Sequence, residues 1–404
     1  MRRETCSACG SPDLDVFLDL ASSPVADAYT ARPDEPVDRY PLQLAVCGKC
    51  QLVQLLEVLS DEVLFGTGYS FYSSASPPLS AYHEEYAADV LTRYGDLAAR
   101  FTVEVGCNDG DLLRHFPHGG NGGRSMGIDP AAGPVAVADA RGLTVYQTAF
   151  TAELGREVQE DCGAAGVVIA NHVLAHVADV NDFLMGLATL VADDGLVMVE
   201  VQYLPDLLVN NAFDLVYHEH RNFFSLTSLE TAAARAGLYI VGAELTSRQG
   251  GSLRVTLAKQ PVPNSRVDAL RASERWLQDW GPYAGFQGRV DRIRTRLLDL
   301  IDDERIAGHM LVGYGAPAKA TTLLNYCGID AHMLDYVIDS TPAKQGRFIP
   351  GTGLQILKPD PGHEPADTYL CLSWNYISEI MRKNIDFTMR EGRWLIPIPA
   401  PVLV

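Results

Sequence analysis

The sequence predicts an α/β protein: open, mostly parallel sheets with helices on both faces, preceded by a small β-rich module built on four cysteines. Three observations predict it. Residues 101–260 alternate strand-like and helix-like runs, and residues 309–404 do so again. Two C-x-x-C pairs, Cys6/Cys9 and Cys47/Cys50, stand near the start. Strand–helix alternation is the pattern of parallel sheets covered by helices. The expected divisions are a metal-binding module over 1–60, an α/β domain with a leading linker and a helix at Ala81–Tyr94 over 61–265, a connecting helix over 266–308, and a second α/β domain over 309–404.

Length and composition agree. A chain of 404 residues is too long for one ordinary core. Hydrophobic content of 47% and charged content of 21% describe a globular protein without disordered tracts. The leading MRRETCSACG has no apolar core, and no run of eighteen apolar residues follows, so neither a signal peptide nor a membrane span is expected. The cytoplasm is the expected location, and a monomer or weak homodimer the expected state. A net charge of −19 opposes non-specific binding to a nucleic-acid backbone. An anionic small ligand would need a local cluster of Lys, Arg or backbone N–H groups.

In the first module, each thiolate pair can grip one metal ion from a tight knuckle, and two pairs complete a tetrahedron. The pairs are separated by Gly10–Val46, longer than a zinc ribbon allows but compatible with a small β module. Four cysteine ligands leave no open position, so a Zn2+ ion there is expected to be structural. Its loss should cost stability before chemistry. The remaining Cys107, Cys162, Cys327 and Cys371 are scattered and read as inert core thiols.

In the central domain, Phe101–Gly106 (FTVEVG) reads as a strand entering the turn Cys107-Asn108-Asp109-Gly110-Asp111 and then a helix. Gly106 lets the backbone approach a ligand closely. Glu104 can engage an amino group, with Asn108 and Gly110 completing the turn. A second strand ends in Met126-Gly127-Ile128-Asp129-Pro130, and an acid at that point can accept both hydroxyls of a ribose. A nicotinamide dinucleotide is the natural competitor. Against it, G-x-G-x-x-G spacing is absent, and Asp109 and Asp111 would repel a diphosphate. The fourth strand runs into Asn171 and His172, polar groups placed to face a bound cofactor, and into His176 at the same sheet edge.

The densest acid–base cluster is Phe213-Asp214-Leu215-Val216-Tyr217-His218-Glu219-His220, following a fifth strand expected at Leu196–Gln202. A carbon next to a ketone becomes a nucleophile by losing a proton, and histidine suits that work near neutral pH. Tyr217, Glu219 and His220 read as donor, orienter and base. A hydrogen-bonded structural loop is the plain alternative, and a metal site of His172, His176, His218 and His220 another. In the last domain, Met310–Lys319 reads as a strand, a Gly/Ala turn and a helix N-terminus, a setting that binds phosphate. Tyr314, Lys319, Lys344 and Arg347 there, and Arg254 after Gly250-Gly251, are candidate ligands of a sugar nucleotide. A nucleotide fold that only packs is the alternative. Residues 266–306, with Trp276 and Trp280, read as one long amphipathic helical stretch.

Jointly these motifs give a resemblance. EVGCNDG resembles motif I of class I methyltransferases, a Rossmann-like fold that binds S-adenosyl-L-methionine. Together with the cysteine pairs, IANHVLAHV, FDLVYHEH, GGSLRV, GYGAPAKATTLLNYCGI, VIDSTPAKQGRFIPGT and WLIPIPAP, it makes nearly the whole chain similar to the sugar C-methyltransferases of deoxysugar and antibiotic biosynthesis. The resemblance implies a zinc module, a central methyltransferase fold and a C-terminal Rossmann-like domain. It implies methylation of the carbon beside the keto group of a dTDP-4-keto-6-deoxy sugar, at C-3, with C-5 or a hydroxyl oxygen as alternatives. A zinc-bearing binding protein without catalysis is the third reading. His220 would be the base, with Tyr217 and Glu219 as partners. His176 would hold the sugar or its enolate, and Tyr69, Tyr72 and His218 would face the sugar. Two departures stand out: Gln249 occupies the place of a usual histidine before Gly250-Gly251-Ser252, and Arg221-Asn222-Phe223-Phe224 replaces a usual Leu/Ser/Tyr run.

Overall fold

The computed structural model describes residues 1–65, 71–118, 124–246, 250–360 and 366–404. Among these, the strands form three sheets. The first holds β1 (Leu14–Pro24), β2 (Arg39–Cys47) and β3 (Val53–Leu55), all antiparallel. The β1–β2 hairpin fills the long gap between the cysteine pairs. Each pair closes a knuckle: Gly10 N–H donates to Cys6 C=O at 2.9 Å and Gln51 N–H to Cys47 C=O at 2.8 Å. Gly10 and Gln51 both take positive φ, as such tight turns demand.

The central sheet contains β4 (Thr102–Val105), β5 (Ser125–Ile128), β6 (Val145–Tyr146), β7 (Ala165–Asn171) and β8 (Val191–Gln202). The fourth strand of the first sheet, β9 (Asn222–Phe223), pairs with β3 although it follows β8 in the chain. β10 (Tyr239–Thr246) and β11 (Ser252–Ala258) then return to the central sheet, whose order is β10-β11-β8-β7-β4-β5-β6. Only β11 runs against its neighbours. β7 is buried on both faces and so reads as an unbroken apolar run. The order reverses between β4 and β7, which opens a crevice at their C-terminal ends.

The last sheet has β12 (Leu311–Tyr314), β13 (Tyr336–Ile338), β14 (Ile356–Leu357), β15 (Thr368–Cys371), β16 (Arg393–Ile396) and β17 (Val402–Leu403). Its order is β14-β13-β12-β15-β16-β17, parallel except for β17.

Three elements differ from the sequence reading. The helix expected at Ala81–Tyr94 runs Pro77–Arg100, with Pro at its first position and a kink at Tyr94. The helix expected after Cys107–Asp111 is one short turn, Leu113–His115, because the Pro117–Gly123 run that follows cannot extend it. Residues 266–306 break into Ser265–Ser273, Arg275–Gln278, Gly281–Ala284 and Phe286–Ile306, interrupted at Gly281-Pro282 and Gly285.

The first module does not stand alone. Phe17, Leu18, Leu20, Leu42 and Leu44 share a core with Phe286, Val290, Leu323 and Leu354 of the C-terminal part. Cys6, Ala8, Cys47, Cys50 and Leu52 share a second core with the central sheet. No helix of the described residues is long and apolar enough to cross a membrane.

Candidate active site at the strand ends of the central sheet

The β4 turn is built around Asp129. Its carboxylate accepts from Asn108 N–H and from Ala131 N–H, each at 2.8 Å. Asn108, at φ 51°, also ties down the preceding segment: its Nδ2 donates to Phe71 C=O (3.1 Å) and its Oδ1 accepts from Ser73 N–H (2.9 Å). Gly106 is required sterically, since a Cβ there would lie 2.2 Å from Val173 Cγ2. Gly110 is required by packing instead: its Cβ would strike Leu143, so it faces the core rather than the crevice. Asp109 and Asp111 are fully buried and paired, Asp109 with Ser74 and Arg141, and Asp111 with Ser80, His83 and Arg114. Asp109 thereby fastens the segment before the helix Pro77–Arg100, and Asp111 the first turns of the helix itself.

Glu104 is 6% exposed, and its Oε2 has no protein partner. Burial, reinforced by Asp129, pushes its carboxyl well above the usual range. A buried carboxyl with an orphan oxygen, beside an acid positioned for ribose hydroxyls, fits the ammonium and ribose of S-adenosylmethionine. In the unfolded chain Glu104 ionises near its ordinary value, so the ligand-free fold loses stability as pH rises from there towards the raised folded value. Glu104→Gln is therefore expected to melt higher than wild type at pH 8 and level with it near pH 4. It should also bind S-adenosylhomocysteine about 10- to 100-fold more weakly, the worth of a charge-assisted hydrogen bond. Calorimetric titration and melting at both pH values check this, and unaltered affinity would remove Glu104 from the ammonium seat.

At the ends of β7 and β8 lies the histidine cluster. His220 is 5% exposed, and its Nδ1–H donates to Leu215 C=O at 2.7 Å. That bond leaves the Nε2 lone pair on the other side of the ring, where Tyr217 Oη (2.8 Å) and Gln202 Nε2 (3.2 Å) converge. His176 Nδ1–H donates to Glu219 C=O at 2.7 Å, and the two imidazoles lie 5.1 Å apart between centroids. Burial pulls both rings down: His176 to about 4, and His220 well below its ordinary value, with His176 adding to the effect on His220. Gln202, 6% exposed with an unpartnered Oε1, was not singled out from sequence. Its place as the last residue of β8, two beyond an acid, is the signal that could have found it.

Several expected roles meet a different geometry. Glu219 orients His176 through its backbone carbonyl, while its side chain is buried towards Asp27 of the first module, which helps raise it to about 8; His220 is oriented by Leu215 instead. His218 turns away from the crevice and donates to the carbonyls of Tyr40 and Pro41, both at 3.3 Å. The four histidines therefore do not converge, and the only metal-ready cluster among the described residues is the four cysteines. Tyr72 leans over the start of the helix Ala132–Ala140, where a Cβ on Gly133 would lie 2.6 Å from its hydroxyl, on the ribose side rather than among the histidines. Tyr69 and Gln249 lie outside the described residues.

Arg254 stands directly across the antiparallel β8–β11 ladder from Glu200 and pairs with it at 3.0 Å, so it is not a free phosphate ligand. Glu200 also receives Tyr82 Oη–H at 2.5 Å and lies 3.3 Å from His172 Nε2. Although burial opposes ionisation, these partners hold its carboxyl at about 2. His172, at φ 56°, follows Asn171, the Cα partner of Glu200 at the end of β7.

In the C-terminal lobe, Tyr314 is half-buried and packs against Tyr369 and Trp394, with its hydroxyl accepting from Asn384 Nδ2. Lys319 is buried on Asn375 (2.6 Å), Trp374 and Asp214, and is pulled down to about 8 by burial. Lys344 reaches back to Ala316 C=O at 2.8 Å, over the ring of Tyr29, whose hydroxyl donates to the same carbonyl. Arg347 is exposed. Asp339 accepts from Ala316 N–H and Thr341 N–H, repeating the arrangement of Asp129.

In the first module the four Sγ atoms lie within 4.8 Å of one another, with Cys6–Cys50 and Cys9–Cys47 each at 3.5 Å. A tetrahedral ion at about 2.3 Å from each sulfur sets them about 3.8 Å apart, so the group fits Zn2+ with every position filled.

Comparison with known proteins agrees along the chain. Residues 6–65 match a zinc binding domain, 80–243 a methyltransferase domain, and 247–399 a C-methyltransferase C-terminal domain. The chain is 34% identical to C-methyltransferase NovU of Streptomyces niveus, over 99% of this chain and 97% of that protein. Solved structures similar to part of the chain include the magnesium protoporphyrin IX methyltransferase of Synechocystis PCC 6803 with bound SAH (17% identity, 45% of this chain and 83% of that one, TM-score 0.36). An S-adenosylmethionine-dependent methyltransferase of Clostridium acetobutylicum is another (9% identity, 45% and 92%, TM-score 0.35). With a zinc module, a methyltransferase fold and a C-terminal domain matched in order, and a relative similar from end to end, the chain belongs to the deoxysugar C-methyltransferase family, enzymes dependent on S-adenosylmethionine.

Proposed function

We propose that this enzyme removes the proton from the carbon beside the C-4 ketone of a dTDP-4-keto-6-deoxy sugar and methylates that carbon, at C-5. The observation that carries the reading is the His220 ring: Nδ1–H is committed to Leu215, and the Nε2 lone pair is turned to the side where Tyr217 and Gln202 meet. His220 Nε2 takes the α-proton, and the C–H electron pair moves into the enolate. Tyr217, released from Nε2, donates to the enolate oxygen, an interaction that strengthens as charge develops. Gln202 then offers its Oε1 to the new Nε2–H, since an amide can present either end. His176, neutral and oriented by Glu219 C=O, holds the sugar. When bound on Glu104, Asn108 and Asp129, S-adenosylmethionine supplies a sulfonium-borne methyl group for in-line transfer to the carbanion.

C-3 and C-5 both flank the ketone and are acidified alike. The end-to-end likeness to NovU favours C-5 over the C-3 first expected. Lys344 and Arg347 are the groups of the C-terminal lobe assigned to the diphosphate. The reaction belongs to the cytoplasm, where thiols stay reduced and able to bind metal.

The test is proton exchange in D2O with S-adenosylhomocysteine and dTDP-4-keto-6-deoxyglucose, followed by NMR. Loss of the H-5 signal is expected, with H-3 retained. Loss of H-3 alone returns the C-3 reading, and retention of both, with methylated product once S-adenosylmethionine replaces S-adenosylhomocysteine, points to oxygen transfer.

A further inference from the structure

The stretch Arg221–Phe224, which departs from the usual motif, begins directly after His220 and leaves the central domain to join the cysteine module. β9 is the fourth strand of that module's sheet, with Asn222 opposite Gln54. Asn222 is 1% exposed, and each end of its side chain is spoken for on a different lobe. Its Oδ1 accepts from Ser7 Oγ–H (3.0 Å) and Arg3 Nη1 (3.1 Å), and Ser7 sits between Cys6 and Cys9 in the first knuckle. Its Nδ2 donates to Val177 C=O (2.9 Å), and its backbone N–H donates to Ala175 C=O (3.0 Å), so the two bonds bracket His176. Gln54 Oε1 closes the knuckle side by accepting Ser7 N–H (3.0 Å) and Arg3 (3.1 Å). Arg221 adds a second strut: Nη1 donates to His176 C=O (2.8 Å), while Nη2 reaches Leu59 C=O (2.6 Å) and Asp61 (2.7 Å) at the module's far end.

We propose that Asn222 is a positioning residue that couples the four-cysteine knuckle to the His176–His220 pair, so that metal loading sets the geometry of proton abstraction. The ion is structural in its coordination, yet the knuckle it closes is one side chain away from the segment that carries His176, whose ring faces that of His220. Without the ion, the Cys6–Cys9 turn is free to open and Ser7 and Arg3 move off Asn222. Asn222 then no longer fixes the 175–177 segment. The His176 ring lies 5.1 Å from that of His220 between centroids, so a shift of its segment moves the bound sugar against the Nε2 lone pair, and small displacements there cost rate steeply. This rests on the reading of His220 as the base.

The experiment compares wild type, Asn222→Ala, Ser7→Ala and His220→Asn in substrate proton exchange, kcat and KM, zinc content and affinity for S-adenosylhomocysteine. Asn222→Ala removes three side-chain hydrogen bonds, to Ser7, Arg3 and Val177, and the coupling needs one on each side, so about 2 kcal/mol, at about 1 kcal/mol per bond, sets the scale. Asn222→Ala is expected to lower exchange and kcat about 30-fold with one zinc per chain, KM little changed and cofactor affinity within about twofold. Ser7→Ala, a milder change with less risk to folding, should follow in the same direction by about fivefold. Chelation of wild type below its melting transition should reduce exchange, and chelation of Asn222→Ala should add little more, because the link is already cut. Wild-type exchange in both Ala variants overturns the proposal. So does a loss of exchange that comes with lost zinc and lost cofactor affinity, or chelation and mutation effects that multiply. If His220→Asn still exchanges the proton, the base assignment fails whatever Asn222 does. If His220→Asn is inert while Asn222→Ala behaves as wild type, only the coupling fails.

Discussion

With asparagine at position 220, proton exchange and methyl transfer are expected to fall by roughly 10³- to 10⁴-fold, the upper range for losing a positioned general base. Affinity for S-adenosylhomocysteine should stay within about twofold of wild type, because Glu104 and Asp129 leave β4 and β5 while His220 follows β8. Asparagine can keep a donor towards Leu215 C=O but brings no basic lone pair to the place of Nε2. The pH profile gives an independent check. His220 is held well below its ordinary value, first by burial and then by His176. The free enzyme's base therefore stays unprotonated as pH falls through 6.5, and kcat/KM should remain flat there, declining only in more acidic solution. An inflection near 6.5 would mean that the base is a solvated histidine elsewhere. Normal turnover by His220→Asn would remove the mechanism altogether.

The parts of the molecule that local chemistry dictates were legible in the sequence. The knuckles announce themselves because two thiolates two residues apart serve few other purposes. The β4 turn and Asp129 announce themselves because a parallel strand followed by a tight turn can place its polar ends only at one edge. Side-chain direction was not legible. Tyr217, His218, Glu219 and His220 crowd one segment, but a single turn sends His218 to Tyr40, the Glu219 carboxyl towards Asp27 and His220 into the crevice. Arg254 and Lys319 looked like free cations because their acids lie 54 and 105 residues away in the chain, Glu200 across a β ladder and Asp214 across a lobe boundary. A net charge of −19 is itself the reason for caution: with acids in excess, a buried cation is more often partnered than free. Gln202 and Asn222 were missed for a related reason, since amides carry no charge and reveal a role only through what they touch.

Cys47→Ser is expected to produce the largest loss of stability of any single change to the first module. A structural zinc site contributes about 10–16 kcal/mol of apparent binding free energy to the fold it closes. Loss of one thiolate forfeits only part of that, about 4 kcal/mol, which at about 2–4 °C per kcal/mol lowers Tm by on the order of 10 °C. The damage does not stay local. Cys47 ends β2, whose Leu42 and Leu44 are buried in the core shared with Phe286 and Leu323, while Cys47 itself is buried in the core of the central sheet. One strand thus belongs to both large cores, and a loosened knuckle frees the wedge between the lobes. Two transitions are therefore expected in a calorimetric scan of the variant, an early one for the module with the C-terminal lobe and a later one for the central sheet. S-adenosylhomocysteine, on the proposed seat at β4 and β5, should raise the later transition and leave the earlier one in place. Chelation of wild type should reproduce the early transition, and re-addition of Zn2+ should reverse it in wild type but not in the variant. A single transition at the wild-type temperature after complete removal of the metal would mean that apolar packing alone holds the module, and that the four thiols contribute nothing the leucines do not.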